Sequence, residues 1–389
     1  MAAVTDAAAV PSAPAVGAAA GAPAKRGRDL RLDFFRGLAL WFIFLDHIPD
    51  NTFSWLTVRN YGFSDAAEIF VFVSGYTAAV AYAGVLARKG AVVAGARVLR
   101  RVWQLYVAHI MLFVAFTAQI AWVSLRTDRQ VFMEEMNLLG LAEEPLRAMV
   151  ATALLAYRPT NLDILPLYIV VLASFAFLLP LLLRAPWRAV LASAILYGLA
   201  RGLGWNLPGY PAGSVWTFDP FTWQLLFYLG AAFAVDGHVG ERLRPYARAL
   251  APAAVAYLLF AGLVALSWEV NALGGIVPDW LGRLLYPIDK TTLDPLRLVH
   301  FLALAYLVQL AIREDAAFLR SRAAEPVRRC GENSLLVFCL GTFLSFTAFV
   351  VLDAAGGGLA LEFAVSAVGI ALQVGAAYVA SWYKRQQAA

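Results

Sequence analysis

Charged residues are scarce in this sequence. Asp, Glu, Lys and Arg make up 15% of the 389 residues, whereas hydrophobic residues make up 61%. A soluble domain carries about 25% charged residues, so the composition excludes an ordinary soluble protein and indicates a chain that is solvated mainly by lipid.

Cysteine and histidine are scarce as well. The two cysteines are too few for a disulfide framework, and the four histidines stand far apart, without the close spacing of metal ligands. No Gly-rich phosphate-binding motif is present. The net charge of +5 does not indicate a nucleic-acid partner, because an excess of Lys and Arg in a membrane protein usually records its topology. Metal and nucleic-acid binding are therefore not expected.

Long apolar segments alternate with short charged loops, and each is close to the ~20 residues that cross a bilayer. These segments cover residues 33–50, 67–87, 103–125, 163–183, 187–204, 219–236, 246–267, 295–312, 334–353 and 360–382. The pattern predicts an all-α polytopic membrane protein with about ten transmembrane helices. Residues 1–30, mostly Ala, Pro and Gly, are predicted to form a disordered cytoplasmic tail, and residues 31–384 a single transmembrane domain.

The charge of the loops predicts the orientation of the chain. About two thirds of the 31 Lys and Arg residues fall near the two termini and in the alternate loops that share their side of the membrane. Because basic loops stay in the cytoplasm, this bias places both termini there and requires an even number of spans. We expect a multi-pass protein of the bacterial inner membrane.

The predicted first span carries polar residues at both ends. Asp33 and Arg36 are one helical turn apart, and Asp46 and His47 lie at the other end. A charged group inside a span is costly and normally marks function. Asp33 and Arg36 are either a structural ion pair or part of a substrate path. His47 is either an interfacial histidine or a general base next to a carboxylate.

The predicted periplasmic face gathers further polar residues at the outer ends of four other spans. These residues are Asp65, Glu68, Asn161, Asp163, Asp219, Trp223, Gln224, Arg297 and His300. Carboxylates beside aromatic rings suit a sugar, which stacks on rings and hydrogen-bonds through its hydroxyls. On the cytoplasmic side, Arg97, Arg100 and Arg101 either set the topology or bind the phosphates of a nucleotide-type donor.

Seven segments of the chain together resemble the OpgC family of membrane proteins. In chain order they read LDFFRGLALWFIFLDHIP, FSDAAEIFVFVSGYTAA, RRVWQLYVAH, PTNLDILPLYIVVL, FTWQLLFYLGAAF, RLVHFLALAYLV and GENSLLVFCLGTF. The resemblance covers roughly residues 30 to 384. It implies a bundle similar to the acyltransferase-3-type membrane enzymes that O-acylate glycans. It also implies succinyl transfer to osmoregulated periplasmic glucans, with succinyl-CoA as co-substrate and no tightly bound cofactor.

The resemblance and the polar residues lead to one mechanistic hypothesis. An acyl-CoA binds Arg97, Arg100 and Arg101 from the cytoplasm, and its acyl arm enters a polar channel between the helices. His47, oriented by Asp46 or Glu68, takes the proton of a glucose hydroxyl, and Arg297 or His300 stabilises the oxyanion. A covalent acyl-histidine stays open as an alternative. The cations available for the distal carboxylate of a succinyl group are Arg297, Arg158 and Lys290.

Two other classes of function are compatible with the same residues. Charges within the spans suit a transporter or flippase for an anionic small molecule or a glycan precursor, although the chain lacks the repeated halves that many transporters show. A scaffold or sensor in a glucan-synthesis complex is the third interpretation. Replacement of His47 separates the three, because only an acyltransferase should lose nearly all of its product.

Overall fold

A computed structural model describes residues 29–388, and this part of the chain is helical, without a β-strand. The predicted tail, residues 1–30, therefore lies almost wholly outside the described residues. The α-helices are α1 Leu30–Asp46, α2 Ala66–Thr127, α3 Val131–Glu135, α4 Leu139–Glu143, α5 Pro145–Ala153, α6 Ile164–Arg184, α7 Pro186–Leu203, α8 Pro220–Asp236, α9 Val239–Leu243, α10 Ala247–Glu269, α11 Asp279–Leu285, α12 Pro295–Ala311, α13 Glu325–Glu332, α14 Ser334–Ala354 and α15 Leu359–Ala388.

Every apolar segment that the sequence analysis singled out lies mostly or wholly within a helix. Five stretches of the described residues are long and apolar enough to cross a membrane, namely Ala66–Thr127, Ile164–Arg184, Val239–Glu269, Ser334–Ala354 and Leu359–Gln387. The all-α architecture and the membrane class are therefore confirmed. The number of ten spans and the cytoplasmic position of both termini stay predictions.

The second and third predicted spans are joined in one element. Residues 67–87 and 103–125 both lie on α2, which is interrupted only at Gly90, where φ is +79°. A residue without a Cβ adopts this left-handed conformation at little cost, so the chain can change direction there. The segment after Gly90 is rich in Ala, Val and Arg and continues as helix, where the sequence pattern had indicated a loop.

Helix α1 carries the residues of greatest interest and is held closely against α13. A Cβ added at Gly37 would overlap the carbonyl oxygen of Val327, and one added at Gly331 would overlap that of Asp33. Small residues allow helix backbones in a membrane to approach this closely. Helix α1 ends at Asp46, three residues before Pro49.

Helix α2 packs against α6 and α8 to form the main core.

Candidate active site

A polar cavity of about 500 Å³ lies where α1 ends and α2 begins. Its wall is completed by the segments that precede α6 and α8 and by the segment that leads into α12. The predicted site residues that line it are Asp46, His47, Asp65, Asn161, Asp163 and Arg297. The fold thus brings together residues from distant parts of the chain, while the roles predicted for them stay predictions.

A network of charges forms one side of the cavity. Arg297 donates from Nε to Oε1 of Glu68 at 2.8 Å and from Nη2 to Oδ2 of Asp65 at 3.1 Å. Lys290 contacts the same oxygen of Asp65 through Nζ at 2.6 Å. Burial would raise the pKa of Asp65, but the charges of Lys290 and Arg297 outweigh it and hold that pKa well below its usual range. Asp65 is therefore an anion that is fully compensated by its neighbours.

The start of α2 explains why these two carboxylates stand where they do. The side chain of Asp65 accepts from the backbone N–H of Ala67 at 2.8 Å, and Oε2 of Glu68 accepts from the N–H of Asp65 at 2.9 Å. This is the capping box that an Asp followed three residues later by Glu forms at a helix N-terminus. The motif caps α2 and also fixes both acids for Arg297.

His47 lies in the cavity wall immediately after the last residue of α1. Its backbone N–H bonds to the carbonyl of Ile43 at 3.1 Å. Its Nδ1 is enclosed and has no hydrogen-bond partner among the described residues. No neighbouring group of residues 29–388 therefore fixes this nitrogen as a donor or an acceptor.

Asp46 and Glu68, which were expected to orient His47, each have another hydrogen-bond partner in this structure, and their catalytic roles stay predictions. Oδ1 of Asp46 accepts from the hydroxyl of Thr57 at 2.8 Å, and Glu68 is occupied by Arg297. Asp46 and His47 are consecutive, and side chains at i and i+1 of a helix do not face each other. The sequence neighbours share one cavity but do not pair.

His300 lies behind the cavity wall rather than in it. Its Nδ1 is 2.7 Å from the hydroxyl of Ser64, which does line the cavity. The ring rests on Gly62, where an added Cβ would overlap Nε2. His300 is 3% exposed and contacts the loop that carries Asp65, and its predicted role at the oxyanion stays a prediction.

Three residues that were predicted to bind substrate instead support α8. Asp219 caps this helix by accepting from the N–H of Phe221 at 3.0 Å. Nε1 of Trp223 donates to the carbonyl of Lys290 at 2.9 Å, and Nε2 of Gln224 donates to the carbonyl of Ser193 at 3.0 Å. None of the three lines the cavity, and the hydrogen bonds that they make fix helices and the loop of Lys290.

Arg158 and Asp163 form a second ion pair beside the cavity. Nε of Arg158 lies 3.2 Å from Oδ1 of Asp163, and its guanidinium stacks 4.6 Å from the ring centre of Trp216. Nη1 also donates to the carbonyl of Leu155 at 2.9 Å. Burial lowers the pKa of Arg158, and the charge of Asp163 opposes that effect. Arg158 is thereby committed to the protein itself.

The remaining predicted residues lie away from the polar cavity. Nη2 of Arg36 donates to the carbonyl of Val73 at 3.2 Å and to the hydroxyl of Thr77, which ties α1 to α2. Asp33 is buried and lines neither cavity. The three arginines expected to bind a donor follow Gly90 on α2 and line neither cavity: Arg97 and Arg100, which are exposed, and Arg101, which is half-buried.

A second and larger cavity of about 700 Å³ runs beside α1. Arg31 and Gln309 are polar residues in its wall. Most of the other lining side chains, such as Phe42 and Val58, are apolar. This space differs from the polar channel that the sequence analysis expected. Arg297 and His300, one turn apart at the start of α12, lie outside this cavity, while Val299 and Phe301 of the same helix line it.

Arg59 and Lys290 also line the polar cavity, and Arg59 was not among the predicted site residues. One signal points to it. Arg59 is a basic residue in a predicted periplasmic loop, where the charge bias of membrane proteins disfavours it.

In residues 29–388, no three His, Cys, Asp or Glu side chains are grouped so that they could hold a metal ion.

The fold and the cavity define a helical membrane protein with a charged, partly enclosed site between its helices. Comparison with known families makes the class specific: residues 28–385 match the family described as OpgC protein, and the chain belongs to this family. No match was found among curated proteins or among solved structures. Membership of the OpgC family implies a role in the modification of osmoregulated periplasmic glucans and indicates a transferase.

Proposed function

We propose that this protein transfers a succinyl group from succinyl-CoA to a hydroxyl of a periplasmic glucan. The observation that carries the proposal is the polar cavity at the end of α1, in whose wall His47 has an unpaired imidazole nitrogen. A transferase of the OpgC family needs a base for an alcohol and a site for a charged acyl group, and we assign these roles to His47 and to the cations that line this cavity.

The reaction begins with His47 as the general base. The imidazole takes the proton of a glucose hydroxyl while the hydroxyl oxygen attacks the thioester carbonyl. The tetrahedral intermediate then breaks its C–S bond, and the proton held by His47 passes to the departing thiolate. The products are a glucan succinyl ester and free coenzyme A. Transfer through an acyl-histidine remains a second route to the same products.

Arg297 is the group that we assign to the oxyanion. It holds its two carboxylates through Nε and Nη2, so Nη1 is the nitrogen that can donate to a developing negative charge. Glu68 and Asp65 fix the guanidinium before substrate arrives, and such preorganisation is what makes an oxyanion donor effective. His300 acts through Ser64 and the loop before α2.

The donor reaches this site from the cytoplasm in the proposed topology. Arg97, Arg100 and Arg101 carry guanidinium groups on the surface of α2 that suit the phosphates of coenzyme A. The apolar cavity beside α1 supports a path for the pantetheine arm, because the two cavities follow each other along this helix. Residues of α1 from Arg31 to Phe42 line the apolar cavity, and Ile43 lines the polar one. Helix α1 rises about 22 Å between residues 31 and 46.

The test is complementation of a strain that lacks the gene, followed by mass spectrometry of the extracted glucan. Wild type should restore a succinyl-sized mass increment, and His47→Ala should not, at equal abundance in the membrane. His238→Ala is the matched control, because its side chain is 63% exposed and lies outside both cavities. Equal substitution by wild type and His47→Ala would exclude His47 as the base. No change with either protein would favour transport.

A further inference from the structure

Arg59 differs from the other cations around the polar cavity. It lies on the 3₁₀ helix Val58–Tyr61, its side chain is exposed, and it shares the cavity wall with Asp46 and His47. Its Nη1 contacts the backbone carbonyl of Asp46 at 3.4 Å. Among residues 29–388, no carboxylate oxygen lies within 4 Å of its guanidinium nitrogens. The charge of Arg59 is therefore not compensated by a direct ion pair in the described structure.

The three cations that the sequence analysis considered for a substrate carboxylate are all paired. Arg297 contacts Glu68 and Asp65, and Lys290 contacts Asp65 at 2.6 Å. Arg158 contacts Asp163 at 3.2 Å. A substrate carboxylate at any of them would share that cation with a protein carboxylate. Arg59 can accept such a group without breaking an existing ion pair.

The position of Arg59 also suits the direction of the transferred group. The carbonyl of the thioester must lie beside His47, and the distal carboxylate of a succinyl group extends two methylene groups beyond that carbonyl. Arg59 and His47 line the same end of the cavity, next to the last turn of α1. The carboxylate of Asp46, whose backbone carbonyl Arg59 contacts, accepts from the hydroxyl of Thr57 at 2.8 Å. A planar guanidinium binds a carboxylate through two parallel hydrogen bonds.

We propose that Arg59 binds the distal carboxylate of the acyl group and so selects succinyl over neutral acyl donors. The inference rests on the proposed transferase function and adds to it the residue that determines specificity. Arg59 takes no part in the proton transfer, so its loss should change the choice of donor more than the capacity for acyl transfer.

The experiment uses inner-membrane vesicles that contain the full chain, with unsubstituted periplasmic glucan as acceptor and succinyl-CoA or acetyl-CoA as donor. Arg59→Gln should lower the kcat/KM for succinyl-CoA by about 10- to 100-fold, the loss expected for hydrogen bonds to a charged group, and change that for acetyl-CoA little. Arg59→Lys should recover part of the preference. Arg147→Gln is the control, because this exposed arginine pairs with Glu144 away from both cavities.

The outcomes separate this inference from the proposed function. If wild type uses succinyl-CoA and Arg59→Gln keeps the same ratio of succinyl to acetyl transfer, Arg59 does not bind the acyl carboxylate. If Lys290→Gln changes that ratio and Arg59→Gln does not, the carboxylate site belongs to Lys290, and the inference is overturned. A wild-type protein that transfers neither group refutes the transferase function itself, and the role of Arg59 with it.

Discussion

The contact between Arg297 and Glu68 leads to a prediction about stability. Glu68 is fully buried, and Arg297 contacts its Oε1 through two nitrogens at 2.7 and 2.8 Å. Arg297→Met would keep much of the side-chain volume but would leave Glu68 without this cation, while Asp65 would still have Lys290. Removing one partner of a buried ion pair costs about 3–5 kcal/mol, so we expect a loss of that size in the free energy of unfolding.

A second substitution distinguishes the cost of leaving the charge of Glu68 buried without a cation from the cost of lost packing. The double variant Glu68→Gln with Arg297→Met removes both charges, so no carboxylate is left buried without a cation. It should be more stable than Arg297→Met alone, even though it carries one more substitution. Glu68→Gln alone should cost about 1.5–3 kcal/mol, because a bond between charged groups is lost while Arg297 keeps Asp65. The four proteins form a double-mutant cycle.

The assay is thermal unfolding in detergent, followed by tryptophan fluorescence at neutral pH and one heating rate, because membrane proteins often unfold irreversibly. Arg147→Met is the control for loss of an arginine whose side chain is 76% exposed, and it should unfold like wild type. If the double variant unfolds at the same temperature as Arg297→Met or below it, Glu68 is not stranded by the loss of Arg297, and the reasoning fails.

Three further predictions concern the walls of the polar cavity. Gly62→Ala should displace the ring of His300 and cost about 1–3 kcal/mol of stability by overpacking, which should appear as a lower unfolding temperature. Gly198→Ala is the control, because Gly198 has open space around it, and it should not lower the unfolding temperature. Trp223→Phe removes the bond to the Lys290 carbonyl and should lower transfer severalfold at unchanged membrane abundance, as judged by glucan mass spectrometry. Because the pKa of Asp65 is held below its usual value of about 4, its ion pairs stabilise the fold above that pH and are lost below it. The difference in unfolding temperature between Asp65→Asn and wild type should therefore be largest at neutral pH and smallest in strong acid. A difference that stays constant across pH would contradict the stabilising role of the Asp65 ion pairs.

The helices could be predicted from the sequence because lipid imposes a simple rule. A segment that crosses a bilayer must bond its own backbone groups, so a long apolar run is almost always helical. The segments 163–183 and 334–353 correspond closely to α6 and α14 for this reason. The same rule says nothing about the polar residues between two runs. Residues 88–102 were expected to form a loop, yet they are helical apart from the break at Gly90.

The site was predicted as a set of residues but not as a set of contacts. Topology alone brought Asp65, Asn161 and Arg297 to one face, and all three line the cavity. The partner of Arg297 could not be read from the sequence, because Glu68 lies 229 residues away and any acid on that face was a candidate. Asp46 and His47 adjoin in sequence, yet the partner of Asp46 is the hydroxyl of Thr57, because consecutive helical residues point apart.

The pairing of charges in the cavity distinguishes groups that contact other protein groups from groups that could contact a ligand. A buried carboxylate is costly unless a cation contacts it, and Glu68, Asp65 and Asp163 each have one. Within the described residues, Nδ1 of His47 has no hydrogen-bond partner, and Arg59 contacts a backbone carbonyl but no carboxylate. Both residues line the cavity at the end of α1. A ligand that supplies a hydroxyl to the first and a carboxylate to the second would complete the cavity. The proposed reaction, in which a glucan hydroxyl attacks a succinyl thioester, would supply both groups.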